Sequence, residues 1–332
     1  MHTNINLPKK IITWYDNNKR SLPWRVTFNS PRKLYYRLLS EFMLQQTQVK
    51  TVVPYFKKFT KEIKSLKQLS KTDEKKVLKL WEGLGYYRRA RNLLKSSKIL
   101  IDKHKGKLPK NLEEIRGLPG VGEYTSNILL ALVHNKPSIG FDGNVKRVFS
   151  RLYFGGKQNL NIEKFIEKNE KNLYAKKRNS DYAEALIEFG ALICNAKDPK
   201  CSICKLKTFC TFNKKGKKII LPNLKNSKQK EFSIYCYLHK KKQRIALTKK
   251  NKLGFLDDFY LPYVKQTSNK NKNWNYLCSY QNTISNIKMN IKLYYKFSSK
   301  IPQDFGWYSI NKNKEFIPSF TKKVFQRVSE LY

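Results

Sequence analysis

The sequence predicts two domains: a mainly α N-terminal domain and a small C-terminal α/β domain. Three observations carry this expectation. Apolar residues recur at helical spacing through the first two thirds of the 332-residue chain. After Cys210 the texture changes to a Lys/Asn-rich stretch, then to short β-branched and aromatic runs with partial alternation. Four of the six cysteines crowd between Cys194 and Cys210, at the seam between the two textures. The length fits two domains better than one, and 40% apolar residues is enough for ordinary cores.

The elements follow in order. Ser30-Pro31 offers an N-cap and a first-turn proline, and the run from Arg32 to Gln46 sets Leu34, Tyr35, Leu38, Leu39, Phe42 and Met43 at helical spacing. Further helices are expected over Lys75–Trp81, Tyr87–Lys103, Asn111–Ile115, Glu123–His134, Ile162–Asn172 and Asp181–Cys194. Residues 213–230 read as a linker, despite the short apolar Ile219-Ile220-Leu221-Pro222. Strands are expected at Phe232–Leu238, Arg244–Thr248, Trp274–Leu277 and Ile287–Phe297, with Asn269–Asn275 as a polar loop and Ser319–Leu331 as a closing helix. No internal repeat is present.

Lys and Arg number 69 against 24 Asp and Glu, a formal charge of +45. Such an excess points to a polyanionic partner, and to binding that weakens steeply with salt. The plainer alternative is a chain-wide bias toward Lys and Asn that leaves a solvated surface. No apolar run reaches the length of a membrane span, and Met1 to Lys10 lacks an apolar signal core, so a soluble cytoplasmic monomer is expected. In that reducing compartment a cysteine cluster implies metal ligation rather than disulfides.

Leu118-Pro119-Gly120-Val121-Gly122 joins a short helix to a longer one. Two glycines two residues apart permit a tight turn with positive φ, and the next helix then aims free N–H groups outward, a geometry that binds phosphate. An ordinary helix–helix turn reads the same way. Twenty residues past Gly122 comes Phe141-Asp142-Gly143-Asn144-Val145-Lys146-Arg147. Cys194, Cys201, Cys204 and Cys210 give C-x6-C-x2-C-x5-C, four thiolates that suit zinc or an iron–sulfur cluster. Glu41 falls with Gln45 at the edge of the apolar stripe, and a half-buried carboxyl there would have its pKa raised.

Together these motifs resemble the helix-hairpin-helix DNA glycosylase superfamily. The resemblance implies that Asp142 is the catalytic carboxylate facing the cation that develops on deoxyribose. It implies a [4Fe–4S] cluster on the four cysteines, stapling a loop that carries Lys197, Lys200, Lys205 and Lys207 toward DNA. Within the superfamily the chain resembles the MutY family of adenine glycosylases. Leu39-Ser40-Glu41-Phe42-Met43-Leu44-Gln45-Gln46 is close to that family's signature, in which this Glu protonates N7 of adenine. Tyr124 stands where the bifunctional glycosylases carry a Schiff-base lysine, and a phenol forms no imine. Lys146 lies close by in sequence. Gln46 and Tyr86, in Gly83-Leu84-Gly85-Tyr86-Tyr87, match elements that enter the base stack when adenine is flipped out. With Leu118, Gly120, Gly122 and Lys146 they form the implied DNA contact. Asn144 matches a residue assisting at the sugar, while Arg25 and Glu184 match the wall of the adenine pocket.

The resemblance divides the chain into a glycosylase domain at 1–212, the linker at 213–230 and a Nudix-like lesion-recognition domain at 231–332. The first holds a six-helix subdomain at 25–135 and an iron–sulfur subdomain from 1–24 and 136–212. No Nudix catalytic box is present. The family's Phe-Ser-His loop for 8-oxoguanine has its nearest match in Ile284-Ser285-Asn286, with Asn in place of His. The implied activity is monofunctional removal of adenine opposite 8-oxoguanine or guanine in double-stranded DNA. Two alternatives remain: an endonuclease III-like glycosylase with AP lyase activity, and a non-catalytic, cluster-bearing DNA-binding protein.

Overall fold

The computed structural model describes residues 6–157, 160–216, 229–251, 253, 256, 259–266, 273–284, 287–311 and 316–332. A helical part is followed by a mixed β-sheet carrying a short helix. The helices are α1 (Leu7–Asn18), α2 (Lys33–Leu44), α3 (Val49–Glu62), α4 (Leu66–Lys71), α5 (Glu74–Trp81), α6 (Arg88–Asp102), α7 (Leu112–Arg116), α8 (Glu123–His134), α9 (Gly143–Phe154), α10 (Ile162–Lys168), α11 (Glu170–Leu173), α12 (Asn179–Leu192), α13 (Thr211–Lys214) and α14 (Ser319–Val328). Most expected helices are present within a residue or two.

Three expectations need correction. α2 begins two residues after Pro31, because Ser30 closes its own turn, accepting from the amides of Arg32 and Lys33. It ends at Leu44, since Gln46 takes a left-handed φ of 58° and turns the chain. The single helix expected over Ile162–Asn172 is two, α10 and α11, broken at Asn169. Helices α1, α3 and α9 were not singled out in the sequence.

Contacts group the chain into two compact units, Met1–Lys71 with Asn92–Asn223, and Thr72–Arg91 with Leu224–Tyr332. In the first, α12 is the central strut, packed by α1, α8 and α9. Its core joins Leu7, Ile11, Trp14 and Tyr15 of α1 to Val145, Phe149, Tyr182, Leu186 and Phe189. The N-terminal helix therefore packs with segments more than a hundred residues away in sequence.

The second unit holds the sheet: β1 (Lys230–His239), β2 (Arg244–Leu247), β3 (Tyr263–Lys265), β4 (Asn275–Ile284), β5 (Ile287–Phe297) and β6 (Gly306–Ser309). Strand order is β4-β5-β1-β2-β6, with β3 also pairing β1. Among the described residues, β1 and β5 pair in parallel and the other strand pairs are antiparallel. Period-two alternation on β1 sends Phe232, Ile234, Cys236 and Leu238 to the face where Phe320, Val324 and Val328 of α14 pack. β5 has the expected bounds, whereas β4 runs seven residues past the expected Leu277. Most of the expected linker and most of the polar loop after Lys265 lie outside the described residues. No described helix is long and apolar enough to cross a membrane.

Candidate active site

Glu41 sits on α2 one helical turn after Arg37, on the side where α8 packs. Only 7% of it is exposed, so it is deeper than the half-buried stripe edge expected from the sequence. Burial pushes its carboxyl up to about 8. The Arg37 charge opposes that rise and the Glu184 and Asp142 charges reinforce it. Tyr124 of α8 donates its hydroxyl to Glu41. Burial holds this phenol well above its ordinary range, and the neighbouring carboxylates add to the effect.

Asp142 is the N-cap of α9, and its Oδ1 accepts from the Val145 amide at 2.7 Å. The carboxylate that the resemblance singles out is therefore also a helix cap. Its other oxygen, Oδ2, accepts from the Asn144 amide at 2.7 Å. Asn144 in turn accepts from Arg147 at 2.8 Å, and Arg147 also donates to the carbonyls of Gly190 and Cys194, each at 2.8 Å. α9 and α12 approach closely at Gly190, where an added Cβ would stand 2.7 Å from that of Asn144.

Glu184 of α12 is a buried hub. Its Oε1 accepts from Arg37 at 2.7 Å and Arg25 at 3.0 Å; its Oε2 accepts from Arg37 at 3.0 Å and Tyr15 at 3.1 Å. One turn on, Glu188 takes Arg20 at 2.7 Å and Arg25 at 3.2 Å. Burial raises both carboxyls, but the arginines outweigh it and hold them below their usual range, Glu188 at about 2. Arg25 and Glu184, expected in one pocket wall, are in direct contact. Arg37, Glu188, Tyr15 and Arg147 were missed. The available signal was a charge at position 37 inside an apolar stripe, and two glutamates four apart on the apolar α12.

The hairpin is built as expected in part. Gly120 has φ 79°, and an added Cβ would lie 2.8 Å from Asn92 and 2.9 Å from Phe42. Gly122 is instead extended (φ −93°) and caps α8 with no side chain, leaving that helix's first amides to an outside acceptor. Gln45 donates to the Gly120 carbonyl at 3.2 Å, tying the end of α2 to the turn. Gln46 is exposed beside it. Leu118 is 3% exposed: its side chain belongs to the core, so only its backbone can face DNA. Lys146 is half exposed and ion-paired to Glu163 at 2.6 Å.

Cys194, Cys201, Cys204 and Cys210 line one pocket with Arg151. Arg151 donates to the Cys194 sulfur at 3.6 Å and to the Asn195 carbonyl at 2.6 Å. Burial pushes the Cys204 thiol up to about 11. Among the described residues no three His, Cys, Asp or Glu side chains form a single-ion site.

Two expected site residues lie in the second unit. Tyr86 takes a left-handed φ of 47°, is 38% exposed, and has the Arg89 guanidinium 5.5 Å above its ring. Ile284 ends β4, pairs with Ile287 and is partly buried against the sheet core. Ser285 and Asn286 lie outside the described residues.

Residues 39–172 match the model of the HhH-GPD superfamily base excision DNA repair proteins. The adenine DNA glycosylase of Buchnera aphidicola subsp. Baizongia pistaciae is 34% identical, over 93% of this chain and 92% of its own. The human adenine DNA glycosylase is 32% identical, over 60% of this chain and 38% of its own. Among solved structures, a thermostable thymine-DNA glycosylase aligns with TM-score 0.56 and 29% identity, over 63% of this chain and 95% of that one. An endonuclease III–DNA complex aligns with TM-score 0.52 and 23% identity, a likeness of fold. With a relative matched almost from end to end, the chain belongs to the adenine DNA glycosylase family.

Proposed function

We propose that this chain hydrolyses the N-glycosidic bond of adenine mispaired with 8-oxoguanine or guanine and stops at the abasic site. One observation carries the reading: Glu41 is buried beside Tyr124 and Asp142, and that burial pushes its carboxyl up to about 8. Glu41 gives its proton to N7 of the flipped adenine. The C1′–N9 bond then breaks, with its electron pair leaving on the base. The Asp142 carboxylate, held by Asn144, faces the cation left on the sugar. Water adds to C1′ and its proton passes to Glu41, which is restored. Tyr124, spoken for by Glu41 and unable to form an imine, excludes the Schiff-base route, and Lys146 is engaged by Glu163.

We read residues 1–212 as the glycosylase domain, with the 25–135 and 1–24/136–212 subdomains, 213–230 as the linker and 231–332 as a Nudix-like lesion reader. In it Ile284, Ser285 and Asn286 would meet 8-oxoguanine. Gln46 and Tyr86 would fill the gap left by the adenine, and the Gly120–Gly122 turn would hold a phosphate. The four cysteines fit a [4Fe–4S] cluster: all four line one pocket, and four thiolates at the C-x6-C-x2-C-x5-C spacing, with a single C-x2-C pair, support a cluster over zinc. When bound, it clamps the loop between Cys194 and Cys210. The soluble monomer acting in the cytoplasm remains part of this reading.

Single-turnover cleavage of duplexes carrying A opposite 8-oxoguanine, A opposite G, and oxidised pyrimidines tests the proposal. Adenine release from the first two, without strand nicking before alkali, is expected. Glu41→Gln and Asp142→Asn should each lose at least about a hundredfold in rate. Release of oxidised pyrimidine alone, or release unchanged in both variants, overturns it.

A further inference from the structure

Glu184 has no acceptor capacity left. Its two oxygens receive four donors, two of them from Arg37, and a carboxylate offers about four lone-pair sites. Arg37 is 5% exposed and Glu184 8%. The pair is bidentate, the geometry in which Arg fixes a carboxylate most firmly. Arg37 also stands four residues before Glu41 on the same helix, so the two lie on one face of it, Arg37 against Glu184 of α12 and Glu41 against Tyr124 of α8. Its Nε is buried with no hydrogen-bond partner among the described residues. An arrangement chosen for stability alone has little reason to bury a guanidinium with an unpaired donor, since a well-packed apolar pair is commonly as stable.

The charges facing Glu41 are few: Arg37 from its own helix, Glu184 from α12, Asp142 from the cap of α9, and the Tyr124 hydroxyl from α8. Behind Glu184 stand Arg25 and Tyr15. Without Arg37, Glu41 would face two carboxylates with only Arg25 in partial compensation. Without Glu184, it would face an unpaired guanidinium one turn away.

We propose that Arg37 is a positioning residue of the base pocket: its bidentate pair with Glu184 cancels that carboxylate's charge toward Glu41 and fixes the pH at which Glu41 gives up its proton. This rests on the reading of Glu41 as the acid. It also assigns Glu184 a role as counter-charge rather than as an open acceptor for the base.

The test uses the full chain with its cluster. Adenine release from an A·G duplex is followed from pH 5.5 to 9.5 in the wild type, Arg37→Met, Glu184→Gln and the double variant. In parallel, infrared difference spectra without DNA follow the protonated carboxyl band of Glu41, identified by its loss in Glu41→Gln. Arg37→Met is expected to move the midpoint up, and Glu184→Gln to move it down, each by roughly one pH unit. The double variant should return near the wild-type midpoint, because it removes a neutral pair. A merely structural role predicts slower release with no opposed movement. Midpoints that stay fixed, or move the same way in both single variants, overturn the proposal. If the wild type releases no adenine, the functional reading fails, and the infrared midpoints still decide the role of Arg37.

Discussion

Burial lifts the Glu41 carboxyl to about 8, whereas arginines hold Glu188 at about 2, with the two side chains on neighbouring helices of one unit. The two shifts act oppositely on stability. Glu41 ordinarily titrates near 4.5, so between about 4.5 and 8 the folded chain holds a proton that the unfolded chain has lost. That contribution is full below 4.5 and disappears as pH rises through 8. Glu188 contributes above about 4.5 and loses its contribution as pH falls toward 2. Replacing Glu41 with Gln removes the first effect and leaves the second. Between pH 5.5 and 8 the wild type should therefore lose stability relative to Glu41→Gln, on the order of a few kcal/mol. Thermal midpoints of the two proteins at both pH values check this, and parallel behaviour would mean Glu41 is not buried as seen. Glu41 was picked out by its motif, but its depth was not readable. A helical wheel places Glu41 at the stripe edge, and the groups that face it, Tyr124, Asp142 and Glu184, are all distant in sequence.

At the level of elements, the best-read segments were those with chemical punctuation. Asn111 caps α7 through its side chain, and the Gly120 turn fixes where α8 begins; α9 has such a cap in Asp142 and was overlooked all the same. The break at Asn169 was missed because the residues on both sides are good helix formers. β3, of three residues, was missed because so short a run has no readable period; β6 is as long as β2 but opens on Gly306 and lacks the β-branched residues that mark a strand. The close approach of α9 to α12 was equally invisible, since nothing local marks Gly190 as the contact. That contact yields a prediction. Gly190→Ala places a methyl 2.7 Å from the Asn144 Cβ and 2.9 Å from its carbonyl oxygen, so α9 must shift. Overpacking of this kind costs about 1–3 kcal/mol. Because Asn144 then leaves Asp142, adenine release should slow at least tenfold under conditions where the variant remains folded by circular dichroism. Release at the wild-type rate would show that the Asn144–Asp142 hydrogen bond carries no catalytic weight.

At the scale of the molecule, charge was the first clue and the least specific one. A formal +45 marks a DNA partner and a Lys/Asn-rich composition equally well, and the fold does not distinguish them. What it adds is local: among the lysines in or near the candidate site, Lys146 is already paired with Glu163, and what the hairpin offers an outside acceptor is the uncharged backbone amides at the start of α8. If the excess serves binding, the remaining surface must supply most of the counterion release. Affinity for an A·G duplex, measured by fluorescence anisotropy in the Glu41→Gln variant to prevent turnover, should then fall about a hundredfold or more between 50 and 200 mM salt. An uncleavable duplex should give the wild type the same slope, because Glu41 touches no phosphate in the proposed reaction. A fall of less than about threefold would mean that most of these lysines face solvent rather than DNA, and that the hairpin amides and the base pocket carry the binding.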